Sequence, residues 1–380
     1  MRLALFATAI LMTTGALCHA QDSTATLREA LGQLPEIVLT NPVADQAYFV
    51  DMAALWQLNP SASPAEALNR LNFGRFVAPV NVMASALPGF PEEWKEKAGI
   101  DAREIRYFAG FGQSHFAVSY WGLADEAAAG EMMTGLAGLG FVSAGDGVLG
   151  NGKPNALDPS AIDPRNPWRG AVGQASFVAR QGSVLIQAPA PEAMANLLLG
   201  EGDAGAAGNI VVATALDGID GALTDGTLIQ AMLISPVLGL ASIDPDRMLV
   251  PDAQNIDDMR AAIEAQMETA QKGIPPYLGG LLVDAQAGDT PALVVSLAYQ
   301  DCAIADTAIA QIEARWNQTM QERNPAEISG TSVESGSGLC AATVTFIDAA
   351  PDAASPVLAR RVLDAVMRRE FTVLQIGETQ

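Results

Sequence analysis

The sequence predicts an α+β protein of two lobes, each a small, mainly antiparallel sheet with helices on one face. Three observations lead there. Hydrophobic residues make up 49% of the 380-residue chain, enough for a substantial core. Aromatic-rich runs flank short glycine-containing turns, the signature of β-hairpins. The order strand–helix–strand–strand occurs over 105–149 and again over 292–347, as a duplicated α/β-plait-like unit would give.

The elements follow in order. Arg2, the apolar run from Leu3 to Leu17 and the small-residue end Cys18-His19-Ala20 read as a secretory signal peptide over 1–20, with Gln21 opening the mature chain. An N-terminal lobe is expected over 21–240. In it Leu27, Leu31 and Leu34 repeat at helical spacing and stop at Pro35, and Ala47–Asp51 reads as a strand. Residues 64–87 read as one or two helices, and Pro88-Gly89-Phe90-Pro91 as a turn. The clearest hairpin pairs Ile105–Phe111 with His115–Trp121. It is followed by an alanine- and methionine-rich helix from Asp125 to Leu139 and a second hairpin around Gly145-Asp146-Gly147. After a proline-punctuated loop at 151–170 come strands at 173–180 and 183–188, a helix near 191–199, a glycine-rich linker at 200–208, helix at 211–223 and strand at 227–234.

Residues 241–274 are expected to link the lobes and to include an amphipathic helix from Ile256 to Lys272, with Met259, Ile263 and Met267 on one stripe. The C-terminal lobe, 275–380, reads strand 292–300, helix 303–322, strands near 328–335 and 339–347, and helix 356–370.

Composition narrows the function. The signal segment is shorter than the roughly 20 apolar residues of a spanning helix, and no later run reaches that length, so no transmembrane helix is expected. Leu17 before Cys18 does not suit lipoprotein processing. A periplasmic or secreted product is therefore expected. The full chain's formal charge of −22 argues against nucleic acid and anionic lipid as partners. Cleavage would leave Cys302 and Cys340, which an oxidising compartment favours as a disulfide in the C-terminal lobe.

His115 would be the only mature histidine, so a multi-histidine metal site cannot be built, and its neighbour Ser114 points elsewhere in a strand or turn. The glycine-rich 200–208 segment lacks the Lys-Ser/Thr of a phosphate loop. Asp244, Asp246, Asp252, Asp257 and Asp258 do not follow a calcium-loop order and read as a turn and a helix start. No metal or cofactor is expected. The binding candidate is the 151–170 loop, where Trp168 stands between Arg165 and Arg169 and could hold a sugar ring or an anion. The competing structural reading has Trp168 pin the loop while the arginines pair with Asp158 and Asp163. Arg360, Arg361, Arg368 and Arg369 on the last helix read as a solvated face, with a docking patch for an acidic partner or for lipid headgroups as the alternative.

The tract Pro275-Pro276-Tyr277, Leu297-Ala298-Tyr299, Asp306 and Arg315-Trp316 resembles a group of exported bacterial proteins that carry a domain of unknown function. That resemblance implies no activity and no site residues. The leading expectation is a non-catalytic envelope protein that binds another envelope protein or a small molecule. Alternatives are a solute-binding protein of a transport system, or a secreted hydrolase using paired carboxylates or a serine.

Overall fold

Runs rich in valine, leucine and aromatic residues form twelve strands in the computed structural model. They are β1 (Tyr48–Asp51), β2 (Ile105–Phe111), β3 (Val118–Leu123), β4 (Val142–Gly145), β5 (Val148–Gly150), β6 (Phe177–Gln181), β7 (Val184–Ala188), β8 (Gly226–Ile234), β9 (Gly279–Ala287), β10 (Thr290–Tyr299), β11 (Ala326–Glu334) and β12 (Cys340–Asp348). The structure describes residues 24–40, 47–58, 60–61, 64–68, 70, 86–112, 117–170, 172–198, 200, 203–241, 272–351, 357–367 and 371–377. The signal segment, Ser114, His115, the aspartates from 244 to 258, the 256–272 helix, Arg368 and Arg369 lie outside these, Lys272 excepted.

The strands join in one sheet of order β11-β12-β10-β9-β8-β1-β2-β3-β7-β6-β5-β4. Every strand pairing in it is antiparallel. This corrects the expectation of a separate small sheet in each lobe. At the middle of the sheet β1 pairs with β8, with Phe49 opposite Ala231. The sheet also crosses the expected boundary near residue 240, since β8 before it pairs with β9 after it. The reason lies in β1 itself: all four of its residues are buried, so neither side of it can be an exposed edge.

Helices cover both faces, which corrects the one-face expectation. Six of them frame the sheet: α1 (Ala25–Gln33), α2 (Met52–Leu58), α3 (Glu126–Gly135), α4 (Ile210–Ala222), α5 (Cys302–Thr319) and α6 (Leu358–Met367). On one face α1 and α4 bury Leu27, Leu31, Ala215, Leu216 and Ile219 against Phe49, Tyr120, Val283 and Val294. On the other, α2, α3, α5 and α6 bury Leu55, Met132, Ile312, Trp316 and Leu363 against Phe108, Trp121, Leu293 and Phe346. Asp125 and Asp301 start α3 and α5 by accepting hydrogen bonds from Ala128 N–H (2.8 Å) and Ile304 N–H (2.9 Å). Helix α4 lies close on β10 and β12 because Gly218 has no side chain: a Cβ there would meet Thr343 Oγ1 at 2.3 Å and Ser296 Oγ at 2.6 Å. Ser296 uses that proximity to donate to the Ala215 carbonyl at 2.8 Å.

Two local expectations change. Strand β9 was not anticipated, because Gly279-Gly280 and Asp284 interrupt its apolar run. The segment expected as a glycine-rich linker packs instead: Ala206 N–H donates to the Leu34 carbonyl at 2.8 Å. Gly205, at φ +55°, sits where a Cβ would be 2.5 Å from the Gly32 carbonyl oxygen. The disulfide between Cys302 and Cys340 is present and ties the start of α5 to the start of β12, with a Cα separation of 5.1 Å.

Candidate functional site

Of the residues singled out in the 151–170 loop, Trp168 faces the body of the protein, Arg169 is half-buried and Arg165 is exposed. Trp168 is 1% exposed and stacks on Trp121 at 4.5 Å with the rings 7° from parallel. Phe141 meets it edge-on at 5.5 Å, and its indole N–H donates to the Ala98 carbonyl at 3.2 Å. A ring so enclosed cannot stack on a ligand, which corrects the use of Trp168 as a binding platform. Arg165 donates to Asp163 at 2.9 Å and lies 3.4 Å from Glu93, while Arg169 donates to the Asn151 carbonyl. Burial works against ionising Asp163, but the hydrogen bonds from Arg165 and Lys97 outweigh it and hold its carboxyl below the usual value.

Polar groups elsewhere are brought together by the sheet. Asp284, completely buried on β9, accepts from Arg70 at 2.7 and 3.1 Å and from Gln230 at 2.9 Å. Arg70 also donates to Gln286 at 2.6 Å and the Ala285 carbonyl at 2.9 Å, so one guanidinium closes over the middle of the sheet. On the opposite face Arg106 grips Glu29 of α1 with two bonds of 2.8 and 2.9 Å. Beside it, burial raises the Asp51 carboxyl, opposed by hydrogen bonds from Ala54 and Thr26 and by the charge of Arg106. Burial and then the field of Glu29 raise the Tyr107 phenol. Arg28 joins α1 to α4 through Asp217 and Asp220 at 3.0 and 2.7 Å. The ion pairs among these groups join the layers and read as structural ties, whereas the buried Tyr107 Oη and Gln230 Oε1 have no hydrogen-bond partner among the described residues.

An open groove of about 650 Å³ does face solvent at one end of the C-terminal half. Its walls are Pro275 to Leu278 before β9, Tyr299 at the end of β10 with Gln300 and Asp301 after it, and Ala303, Ile304 and Thr307 in the first turns of α5. Both tyrosines are held fixed: Tyr277 donates to the Ser235 carbonyl and Tyr299 to the Pro275 carbonyl, each at 3.2 Å. Leu278 is 41% exposed, and Gln300 and Asp301 supply polar groups at the rim. Of these residues the sequence singled out Pro275, Pro276, Tyr277 and Tyr299, and those only as part of a resemblance. The signal that could have found them is the Pro275-Pro276 pair, which stiffens one wall next to an aromatic.

A smaller recess of about 270 Å³ lies between the end of α5 and α6 and includes Arg323, Arg361 and Asp364. Arg361 is committed to Asp348 at 2.8 Å. Arginine and aspartate there balance in charge, and the carbonyl end of α5 opposes an anion.

Among the described residues no group of three or more histidine, cysteine, aspartate or glutamate side chains is placed to hold a metal ion. No described helix is long and apolar enough to cross a membrane. The chain matches no family model, no curated protein and no solved structure.

Proposed function

We propose that the chain is an exported, non-catalytic binding protein whose ligand site is the groove between Pro275 and Thr307. The observation that carries this reading is the groove's construction. Rigid apolar walls with a few polar groups at the rim, in a volume of about 650 Å³, match the sites that take small, largely apolar molecules. The acidic charge and the N-terminal segment support work in the envelope or outside the cell.

Thermal-shift screening of the mature protein against a metabolite and lipid-fragment library tests the proposal. A ligand at about 100 times its Kd adds about 2.7 kcal/mol of stability. That shift should vanish in Leu278→Asp and Ile304→Asp, which put carboxylates into the walls. A ligand that stabilises both variants as well as the wild type binds elsewhere and refutes the assignment.

We further propose that the two halves are copies of one α-β-β-β-α-β-β unit. The sheet order supports it: β8-β9-β10-β12-β11 repeats β1-β2-β3-β7-β6 outward from the central pair, with β5 and β4 added at one end. Helices α1 and α4 precede the first strand of each unit on one face. Helices α3 and α5, each capped by an aspartate, follow the third strand on the other.

A further inference from the structure

We infer that the outer edge of β11 pairs with the same edge of a second copy of this chain. The two ends of the sheet differ. Strand β4 is four residues long, with a bulge between Ser143 and Gly145. Strand β11 is nine residues long and pairs with β12 without a register shift. Among the described residues no strand occupies its other side. Proteins commonly blunt such an edge with charged side chains, above all lysine, with proline or with a bulge; Ala326–Glu334 has no lysine, proline or bulge, and its charges are Glu327 and Glu334.

The direction of its backbone groups can be read from the ladder. Ala349 N–H donates to the Pro325 carbonyl and Ser335 N–H to the Leu339 carbonyl, so odd-numbered residues of β11 point towards β12. The N–H and C=O groups of Ala326, Ile328, Gly330, Ser332 and Glu334 therefore point outward. A two-fold axis at Gly330, the middle of the strand, sets Ala326 opposite Glu334 and Ile328 opposite Ser332 in the partner. All of the outward groups then meet in hydrogen-bonding pairs, about ten bonds in all. Between them Ser329 faces Thr331, a pairing that can hydrogen-bond across strands. Neither glutamate meets its own copy, because Glu327 falls opposite Val333 and Glu334 opposite Ala326. The same device already operates inside the chain, where β1 and β8 join the halves antiparallel.

Two electrostatic effects oppose the pairing. Each chain carries about twenty net negative charges, and Glu313 of α5 lies above Gly330, beside the proposed axis. Association should accordingly be measured in high salt, where exposed charges are screened within a few ångströms.

The test is sedimentation equilibrium of the mature protein at increasing concentration in high salt. The wild type is expected to reach twice the monomer mass. Ser329→Lys with Thr331→Lys, both exposed in the monomer, places lysines opposite one another and should return the protein to monomer mass. Ser332→Pro removes one outward N–H without touching the β12 ladder and should weaken association by about tenfold or more. Unchanged melting of dilute samples would show that both variants fold. A wild type that stays monomeric throughout, or a dimer that persists in both variants, would overturn the inference.

Discussion

Removing the carboxylate of Asp284 probes how the middle of the sheet is held. The side chain is completely buried and accepts three hydrogen bonds, two from Arg70 and one from Gln230. Arg70 is itself only 12% exposed, so Asp284→Asn leaves a guanidinium charge largely out of water with no carboxylate beside it. Breaking one side of a buried pair costs about 3–5 kcal/mol, whereas replacing both partners with apolar groups is often neutral. Asp284→Asn and Arg70→Met should therefore each lose about 3–5 kcal/mol. The double change Asp284→Leu with Arg70→Met should lose far less than the sum. Urea unfolding at pH 7 reads all of these, and adding the single Asp284→Leu closes the cycle that isolates the coupling of the pair. A loss below about 1 kcal/mol in Asp284→Asn would mean that water reaches the carboxylate, and the account of this contact would be wrong.

Three further outcomes follow from other parts of the structure. Cys302→Ala with Cys340→Ala opens a loop with a sequence separation of 38 residues, and loop entropy puts the loss at about 3.9 kcal/mol; denaturant titration of oxidised wild type against the variant checks it. Trp168→Ala should cost about 3–5 kcal/mol, since it empties the space between Trp121 and Phe141; a surface tryptophan would cost less than about 1, so the same titration discriminates. Asp51 is raised in the fold, chiefly by burial, so its contribution to stability is fully present below the unfolded value of about 3.9 and is lost as pH rises through the folded value. Asp51→Asn keeps an acceptor for the Ala54 N–H and should be more stable than wild type at neutral pH, the difference closing in acid; equal stability at both pH values would refute the burial argument.

The sequence revealed what is local. The β2–β3 hairpin showed through its aromatic runs around a turn, and α5 as the helix read over 303–322. Contacts made across the sheet did not show. Arg70 and Asp284 are 214 residues apart, and an aspartate inside an apolar run weighs against a strand until its partner is known. The same aspartate, with two leading glycines, concealed β9. Trp168 could be read as facing a ligand or as pinning its loop to the body, and the choice rests on Trp121, 47 positions away and in a different element. The groove is built from two chain segments and a helix start that meet only because β9 and β10 are neighbours.

Burial along single strands explains why the architecture departs from two one-sided sheets. A sheet with one wet face alternates buried and exposed residues, whereas a strand covered on both faces is apolar throughout. Strands β1, β3 and β7 are buried at every position, and β8 over its last seven. Tyr48-Phe49-Val50 and Val184-Leu185-Ile186 carry that double burial openly in the sequence, and it demands a helical layer on each side. By contrast all of β4 and most of β11 are exposed or half-exposed, as strands at the ends of a sheet must be. A short strand that is wholly buried must have neighbours on both sides, and for β1 the second neighbour can only come from the other half of the chain. The single sheet thus follows from the solvation of four residues, Tyr48 to Asp51, more than from any pairing preference of the longer strands.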